Sequence, residues 1–366
     1  MRILLVTDLY RGSDHSAVEA IFGRHLAEHM EVDRVYFDRE IVQPVREDTM
    51  ITLPHACRRH GLTTALSGLA ELKHYDWIVV RNLFPALSAI LRVRGAHGPR
   101  IAFWDSFPHA YRRYHQSRVI GRARLRKTLE YRWRARSEAR FLARCDAYLP
   151  ITDTHRRLFH PTLAIPSHPL PLGFDFASTD IPVRPPRNGP LRFAYAGTID
   201  RLRRMDTVLA GFAEAEGDYE LHLYTPLDAP GRDALRLPHD PRFHYHPPVP
   251  RKELLQRLAE ADVGLGLIPP ERLYLGSSPT KTFEYYAAGL PALLSELPDY
   301  HDVFERNCAL YCDFTPAGIA GGVARAQILG REALQRMGAQ GCEAVRAQRD
   351  YAHLGDELLQ FLAGLA

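Results

Sequence analysis

Long hydrophobic runs are missing from this sequence of 366 residues. A membrane-spanning helix needs about 20 consecutive, mostly apolar residues, and we therefore predict no such helix. The opening stretch MRILLVTDLYRG turns polar too early for a signal peptide, so it predicts a first buried strand instead. The composition, 46% hydrophobic and 25% charged, is typical of a folded soluble protein, and the length suggests two domains.

Cysteine is scarce, and the five cysteines form an odd, scattered set that indicates a reducing, cytoplasmic location. Cys308 and Cys312 share one face of a predicted strand, and His244 and His246 share one face of another. No further Cys or His stands at zinc spacing from either pair. We therefore interpret them as ordinary thiols and histidines, and we predict neither a metal site nor another cofactor.

Strand-like apolar runs alternate with helix-like amphipathic runs along the whole chain. The first half has strand-like runs at RILLVTD, DRVYFD, DWIVVRN, RIAFWDS and DAYLPIT. The second half has them at LRFAYAGT, YELHLYTP, FHYHPP, DVGLGLIP, PALLSEL and CALYC. This alternation predicts parallel sheets with crossover helices. The predicted fold class is α/β, with two doubly wound, Rossmann-like domains that face a cleft.

A proline-rich segment, ASTDIPVRPPRNGP, divides the two series of strands and predicts an interdomain linker at residues 176–190. The predicted domains are then residues 1–175 and 191–345. Residues 346–366 are amphipathic and predict a C-terminal helix that packs back on the first domain. Ligands of doubly wound sheets bind beyond the carboxyl ends of the strands, so the loops that follow strands are the places to search.

The stretch GSSPTKTFEYYAAGLP follows a buried strand and a loop, and it predicts an anion site. Pro279 suits the first turn of a helix, where its missing N–H costs nothing. The backbone amides around Ser277, Ser278 and Thr280 then point outward at the positive end of the helix dipole. Lys281 adds an ammonium on the same turn. Together these groups suit a phosphate.

Glu284 lies one turn further into this helix, where a carboxylate can accept hydrogen bonds from both hydroxyls of a ribose. Gly289 suits the left-handed position that ends a helix, and Pro291 blocks its continuation. Phosphate at the tip and ribose one turn in are the geometry of a nucleoside diphosphate. The alternative is an exposed Lys281–Glu284 pair that contributes only a few tenths of a kcal/mol.

A second candidate phosphate element lies at the first strand–helix turn of the second domain, in the stretch FAYAGTIDRLRRMDTVL. Gly197 lets a ligand approach the backbone closely. Arg203 and Arg204 open the next helix and can reach the same anion. The alternative is a plain turn with solvated arginines.

These two stretches resemble those of a known family. YAGTIDRLRRMD is similar to the glycine turn and following basic residue of nucleotide-sugar glycosyltransferases with two Rossmann domains (the GT-B architecture, family 4-like). SSPTKTFEYYAAGLPALLSE resembles their donor signature S-x-P-x-K-x-F-E-Y-x-A-x-G-x-P, and PLGFDF resembles their interdomain stretch. LYLGSSPTKTFEYYAAGLP also resembles the xanthan-type glucuronosyltransferases, which are inverting members.

The resemblance implies a donor role for the second domain and an acceptor role for the first. Glu284 would hold the ribose, and Lys281, Arg203 and the Gly197 turn would hold the diphosphate. A uracil-type base would rest near Tyr224 and residues 248–250. Many retaining members carry a second glutamate where this sequence has Gly276, so the sugar and the stereochemical outcome stay open. The candidate donor residues are Gly197, Thr198, Arg203, Arg204, Tyr224, Ser277, Ser278, Lys281 and Glu284.

The first domain is expected to supply the catalytic base, because an inverting transfer needs a group that takes the acceptor hydroxyl's proton. Asp105 ends a predicted strand and is the first candidate, and His109 is the second. An N-cap or turn aspartate is the alternative for Asp105. In the loop after the first strand, Gly12, Asp14 and His15 are candidates for the acceptor side, although the favoured interpretation is that Ser13 or Asp14 simply caps the next helix.

Charge is uneven along the chain: residues 1–175 hold 27 Lys and Arg against 18 Asp and Glu, whereas the remainder has a net charge of −5. Residues 112–144 alone hold eleven Arg, one Lys and two Glu, with Leu125, Leu129 and Trp133 at a spacing of four. This pattern indicates peripheral contact with anionic lipid. Packing of the apolar stripe on the sheet is the alternative. Nucleic acid is not expected as a partner, because aromatic residues are not interleaved for stacking.

We therefore predict a metal-independent glycosyltransferase that uses a nucleotide-diphosphate sugar, with UDP as the leading nucleotide. It would act on a hydroxyl of a growing, lipid-linked glycan in surface polysaccharide synthesis, in the cytoplasm or at the inner face of the membrane. A nucleotide-sugar epimerase of the same fold and a catalytically silent binding subunit are the alternatives. A dehydrogenase is disfavoured because neither first turn has the sequence G-x-G-x-x-G.

Overall fold

The computed structural model describes residues 1–13, 15–95, 97–117, 121–235 and 237–365, with the side chains of residues 121 and 122 left aside. The chain forms two compact units. The first comprises Met1–Pro171 together with Tyr351–Ala366, and the second comprises Leu172–Asp350. Each unit is a parallel sheet covered by helices, so the predicted fold class is confirmed.

The first unit contains a seven-stranded sheet in the order β3-β4-β2-β1-β5-β6-β7. All neighbouring strands are parallel except β3, which is antiparallel to β4. The central strands consist of Val, Ile, Leu and aromatic residues buried on both faces, as is usual where helices cover both sides of a parallel sheet. The strands are β1 (Arg2–Tyr10), β2 (Glu31–Asp38), β3 (Val45–Glu47), β4 (Met50–Pro54), β5 (Trp77–Arg81), β6 (Arg100–Asp105) and β7 (Ala147–Pro150).

The helices of the first unit begin with a π-helical segment, Val18–His25, that leads directly into α1. Short 3-10 turns lie at His55–Arg58 and Leu72–His74. The C-terminal helix packs against the Val18–His25 segment, where Gly355 leaves room for the ring of His25. The helices are α1 (Leu26–His29), α2 (Leu62–Leu66), α3 (Phe84–Val93), α4 (His109–Gln116), α5 (Gly121–Leu142), α6 (Asp153–Phe159) and, at the C-terminus, α13 (Tyr351–Gly364).

The second unit contains a six-stranded, all-parallel sheet in the order β10-β9-β8-β11-β12-β13. Its strands are β8 (Leu191–Ala196), β9 (Tyr219–Tyr224), β10 (Phe243–His246), β11 (Val263–Gly266), β12 (Ala292–Ser295) and β13 (Ala309–Cys312). Its helices are α7 (Met205–Glu214), α8 (Ala229–Leu235), α9 (Arg251–Ala259), α10 (Thr280–Ala287), α11 (Pro298–Val303) and α12 (Pro316–Arg349), the last kinked at Gly330.

In both sheets, the order in which successive strands are added reverses at one point. In the first unit the order runs outward from β1 on one side and from β5 on the other, and in the second it runs outward from β8 and β11. Crossover helices lie on opposite faces to either side of such a reversal, which leaves a crevice beyond the carboxyl ends of the two central strands. The loops after β1, β5, β8 and β11 are therefore where each unit offers a site.

The domain boundaries differ from the predicted ones. The proline-rich segment lies within the second unit rather than between the units, because its arginines are anchored there. Arg184 donates hydrogen bonds to the carbonyls of Gly289 and Ala261 at 2.7 and 2.6 Å, and Arg187 donates to that of Glu260 at 2.7 Å. The C-terminal helix begins at Tyr351, five residues later than predicted.

Among the described residues, none of the helices has both the length and the apolar character required to cross a membrane.

Candidate functional site

Helix α10 of the second unit begins immediately after Pro279, as the sequence predicted, and ends before Gly289, which has φ +76°. The helix is held below the end of β8, because the hydroxyl of Tyr285 accepts a 3.0 Å hydrogen bond from the amide of Ala196. Gly264 of β11 allows this close approach, since a Cβ there would lie 2.4 Å from the Tyr285 ring. The two stretches that were predicted to bind a donor thus meet at the reversal point of the sheet.

Glu284 projects from the first turns of α10 and is only 3% exposed. Its Oε2 lies 2.8 Å from Nζ of Lys281, and its Oε1 lies 3.3 Å from Nε of Arg251. The ion contact with Lys281 does not have hydrogen-bond geometry, so Oε2 is buried without a hydrogen-bond partner in the described part of the chain. Lys281 compensates the charge of this oxygen, and its acceptor capacity that no hydrogen bond uses is available to a ligand hydroxyl.

Arg251 is a member of this cluster that the sequence interpretation missed. It opens helix α9, and its guanidinium lies 5.3 Å from the ring centre of Phe174. Nε and Nη2 are buried, and neither has a hydrogen-bond partner among the residues that the structure describes. The sequence contained one signal for Arg251, which is its position. It directly follows a proline-rich stretch and begins the helix after β10, at a place where ligands of such sheets bind.

The predicted serines have different roles. The hydroxyl of Ser277 donates to the carbonyl of Tyr274 at 2.6 Å, and the Ser277 amide donates to the same carbonyl at 2.8 Å. The hydroxyl of Ser278 accepts from the amide of Leu172 at 3.2 Å. Their side chains therefore shape the loop before α10, and the expectation that the Ser277 amide points outward is wrong.

The turn after β8 contains Gly197 and Thr198. A Cβ on Gly197 would lie 2.9 Å from the hydroxyl of Tyr195, which itself donates to the carbonyl of Thr198 at 2.8 Å. The Gly197 amide pairs with the carbonyl of Tyr224 at 3.0 Å, so it continues the sheet. A larger residue here would have to displace the tyrosine ring that folds back under the turn.

Arg203 and Arg204 lie at the start of α7, and both are paired with acids. Arg203 donates to Asp200 at 2.6 Å within its own turn. Arg204 has a left-handed backbone, φ +49°, and Nη1 lies 3.5 Å from Glu271 in the loop that precedes α10. The Arg204–Glu271 contact joins the start of α7 to the loop before α10.

Tyr224 ends β9 and lies in the same region. Its ring stacks on that of His246 at 4.7 Å, and burial raises the pKa of its hydroxyl. Residues 248–250 follow β10 and lead into α9, where Arg251 begins the helix.

Asp105 ends β6 in the first unit and is 4% exposed. Its Oδ2 accepts hydrogen bonds from Tyr148 at 2.9 Å and lies 3.2 Å from Nε2 of both His155 and His160. Burial would raise the pKa of Asp105, but the charges and hydrogen bonds of the two histidines outweigh burial and lower it. A buried carboxylate with three partners on one oxygen is a poor base, so the geometry weighs against the predicted role of Asp105.

His109, the second candidate base, begins α4 and lines a cavity of about 710 Å³ in the first unit. Burial lowers the pKa of His109, so the ring is neutral at pH 7. The wall of this cavity also contains four arginines and several aromatic rings. These are Arg58, Arg59, Arg113 and Arg134, with Tyr10, Phe84, Trp133 and Phe141.

The loop after β1 contains the predicted acceptor residues. Gly12 has φ +77° and is exposed, while Asp14 lies outside the described residues. His15 is partly buried, with its Nε2 2.7 Å from Nη2 of Arg81. Burial, followed by the charge of Arg81, lowers the pKa of His15 to about 4.

The reversal point of the first sheet holds a charged cluster that the sequence interpretation missed. Arg81, 5% exposed at the end of β5, forms an ion pair with Asp8 of β1. The next residue, Asn82, has φ +56° and donates to the hydroxyl of Ser106 at 2.7 Å. An arginine and an asparagine directly after an apolar strand were the available signal.

Three clusters of described residues bring enough His and acidic groups together to hold a metal ion. They are His25, His29 and Asp356; Asp105, His155 and His160; and Glu220, His222 and His244. The last cluster supplies partners for His244 that sequence spacing did not reveal, because Glu220 and His222 lie on the neighbouring strand β9. In each cluster the same atoms also form hydrogen bonds or ion pairs with one another or with neighbours.

Residues 203–360 match the family described as glycosyl transferase-like. Among curated proteins, none matches the sequence. The chain is similar in structure to a sucrose-phosphate synthase from Thermosynechococcus elongatus, with a TM-score of 0.76 and 14% identity over 100% of this chain and 99% of the other.

Two further solved structures share the fold. One is a trehalose-6-phosphate protein from E. coli bound with UDP-2-fluoro glucose, with a TM-score of 0.69 and 13% identity over 98% of each chain. The other is the lipopolysaccharide outer core galactosyltransferase WaaB, with a TM-score of 0.64 and 12% identity over 98% of this chain and 99% of that one. Residues 203–360 are thus similar to a glycosyl transferase-like family, and the chain has the fold of these solved structures, the two-domain GT-B fold that its motifs predicted.

Proposed function

We propose that this protein transfers a sugar from a nucleotide-diphosphate donor to a hydroxyl of a glycan acceptor. The observation that carries the proposal is the cluster of buried Glu284, partly buried Arg251 and exposed Lys281 at the start of α10. Glu284 and Arg251 have buried polar atoms without a hydrogen-bond partner among the described residues. A nucleoside diphosphate has a ribose diol and a charged diphosphate. The cluster offers a carboxylate to the diol and two cations to the diphosphate. The reversal point of the sheet is where such a ligand binds in this class of fold.

The donor roles follow from charge. Glu284 would accept hydrogen bonds from the ribose hydroxyls, while Lys281, Arg251 and Arg203 would neutralise the diphosphate as it leaves. These three cations and the positive end of α10 would stabilise that charge, and we propose a reaction that uses no metal ion. Tyr224 and residues 248–250 would border the base. UDP is the proposed nucleotide, in keeping with the donor analogue named for the E. coli structure.

A thermal-shift panel of UDP, GDP, dTDP and their sugars tests donor binding. A ligand at 100 times its dissociation constant stabilises a protein by about 2.7 kcal/mol, so a true donor gives a clear shift. We expect ribonucleotides to shift more than dTDP, because dTDP lacks one hydroxyl of the diol. No shift with any member would contradict the proposal. A nucleotide sugar that binds but is neither transferred nor epimerised would instead identify a silent binding subunit.

The first unit would bind the acceptor in the cavity beside His109. Its four arginines favour an acceptor that carries negative charge, such as a lipid-linked diphosphate glycan. Of the two predicted bases, His109 faces this cavity and is neutral, whereas Asp105 is enclosed by Tyr148 and two histidines. A role in surface polysaccharide synthesis is the corresponding biological proposal.

Membrane contact is the remaining part of the proposal, and it rests on helix α5. Leu125, Leu129 and Trp133 are 63, 56 and 68% exposed, so the apolar stripe is not packed on the sheet. The surrounding arginines give this stripe a cationic border, which suits anionic lipid headgroups. Trp133 also lines the acceptor cavity, which would bring a lipid-linked acceptor from the membrane surface to the site.

Vesicle sedimentation tests this contact. We expect binding to phosphatidylglycerol vesicles that weakens with salt, and little binding to phosphatidylcholine vesicles. Leu125→Ser with Leu129→Ser should reduce the binding several-fold. The matched control is Ile328→Ser with Leu329→Ser, which removes two exposed apolar residues from α12. Equal binding of both double variants would contradict the proposal.

A further inference from the structure

Glu138 is the unusual acidic residue of helix α5. The helix has two glutamates among its many arginines, and the other, Glu130, lies 3.0 Å from Lys127 and 3.2 Å from Arg134 in ion pairs. Glu138 has neither a hydrogen bond nor an ion pair within 4.0 Å among the described residues. Glu138 therefore does not stabilise the helix through ion pairs as Glu130 does, although arginines surround it.

The carboxylate lies on the wall of the acceptor cavity. Glu138 and His109 line the same cavity of about 710 Å³, together with Asp8 and Arg113. Glu138 also lines a small adjoining space of about 20 Å³, which it shares with Asp105 and His160. It therefore stands between the buried Asp105 cluster and the open cavity.

The groups around Glu138 suit proton transfer near neutral pH. The pKa of Glu138 is raised to about 7, mainly by burial and secondly by the negative charge of Asp105. His160, Arg113 and Arg134 oppose this rise. His109 and Asp8 also face the cavity, and Asp8 is already neutralised by Arg81. A general base is most effective when its pKa lies close to the working pH.

We propose that Glu138 is the catalytic base, which takes the proton of the acceptor hydroxyl that receives the sugar. This inference rests on the proposed function. The acceptor O–H bond breaks and its proton passes to the Glu138 carboxylate, while the acceptor oxygen forms a bond with the anomeric carbon. The bond from that carbon to the diphosphate oxygen breaks, and the nucleoside diphosphate leaves with the electron pair. The proposal commits the reaction to inversion of the anomeric configuration.

Kinetics with the full chain test the proposal, with octyl glucoside as acceptor probe and the nucleotide sugar that gives the largest thermal shift. In the wild type, kcat/KM should rise with pH through about 7, as Glu138 loses its proton. Glu138→Gln should lower kcat/KM by about 100-fold or more and abolish this rise. Its nucleotide dissociation constant should change by less than about twofold. Glu130→Gln, the matched control on the same helix, should behave as the wild type.

His109→Gln separates the two cavity groups. If Glu138 is the base, this variant keeps the rise near pH 7 even though its kcat/KM is lower. Loss of the rise in His109→Gln with its retention in Glu138→Gln would overturn the proposal, and so would a product of retained configuration. A wild type that binds nucleotide sugars but forms no glycoside would overturn the proposed function as well. An active wild type with a fully active Glu138→Gln would overturn the role of Glu138 alone.

A second measurement does not depend on turnover. A folded-state pKa above the unfolded value means that ionised Glu138 opposes folding, so stability is lost as pH rises from about 4.5 to about 7. Glu138→Gln should remove this loss and raise the melting temperature at pH 8 relative to the wild type. Such a gain in stability from removing a functional group is expected of a site residue. An unchanged pH dependence would show that the carboxylate is not held in the environment described above.

Discussion

Replacement of Glu284 by glutamine is the sharpest test of the donor site. The side chain is 4% exposed, so water hardly screens its interactions. A hydrogen bond to a charged group contributes about 1.5–3 kcal/mol, and one to a neutral group about 0.5–1.5 kcal/mol. Glu284→Gln keeps the shape and loses the charge, which weakens two ribose bonds by about 2–3 kcal/mol in total. The dissociation constant of UDP should then rise by about 30- to 160-fold.

One effect opposes this loss. When Glu284 loses its negative charge, the positive charges of Lys281 and Arg251 are no longer compensated, and their attraction for the diphosphate becomes stronger. A double-mutant cycle with 2′-deoxy-UDP separates the two effects, because only the contact between Glu284 and the hydroxyl changes along both sides of the cycle. The wild type should lose about tenfold in affinity when the hydroxyl is removed, and Glu284→Gln should lose about threefold or less.

Isothermal titration calorimetry supplies the four dissociation constants. Glu253→Gln is the matched control, since Glu253 lies on α9 near Arg251 but forms an exposed pair with Arg257 at 3.3 Å. It should bind both nucleotides as the wild type does. A coupling energy below about 0.5 kcal/mol between Glu284 and the 2′-hydroxyl would refute the ribose role, whatever the size of the single effects.

The remaining predictions concern stability and pH. Asp105→Asn should lower the free energy of unfolding by about 3–5 kcal/mol, measured by urea denaturation, because two histidines and Tyr148 lose a buried anion; the exposed Asp153→Asn should be near neutral, and an equal effect of both would contradict this. Turnover per folded Asp105→Asn molecule should persist, and a loss of about 100-fold would restore Asp105 as the base. The folded-state pKa of His15 lies below its ordinary value, so its contribution to stability is complete above about pH 6.5 and is lost as pH falls towards 4; this loss should be absent in His15→Asn, and identical pH profiles would refute it. Gly264→Ala should lower the free energy of unfolding by about 1–3 kcal/mol, because its Cβ would lie 2.4 Å from the Tyr285 ring. The control Gly321→Ala in α12, whose Cβ would have nothing nearer than 3.8 Å, should stabilise the protein slightly. A neutral Gly264→Ala would mean that α10 is free to move away from β11.

Much of the fold could be predicted because it depends on local patterns. Each apolar run named in the sequence is a strand, from RILLVTD in β1 to CALYC in β13. The two strands that were missed, β3 and β4, lie in a stretch with charged and turn residues, VREDTMITLP, which has no long apolar run. The linker was placed wrongly because proline content says nothing about which carbonyls Arg184 and Arg187 reach across space.

The sites divide in the same way. Pro279, Lys281, Glu284 and Gly289 could be interpreted from sequence because a helix start, a one-turn spacing and a left-handed end are set by neighbours along the chain. Arg251 could not be assigned to the same site, since Glu284 lies 33 positions later in the chain and strand β11 intervenes. Likewise, nothing in the stretch RIAFWDS showed that Asp105 would be enclosed by Tyr148, His155 and His160.

The sequence by itself determined the order of strands and helices, the helix that presents Lys281 and Glu284, and the cationic stripe of α5, because periodicity and turn chemistry act over a few residues. Only the tertiary structure decided which carboxylates have hydrogen-bond partners and which face a cavity without one. Asp105 and Glu138 are both acidic residues of the first unit, yet the strand order and helix packing give Asp105 three hydrogen-bond partners. They leave Glu138 beside a cavity, with no ion pair to any of the residues that the structure describes. That difference depends on burial and on charges brought close by folding, which no local pattern contains.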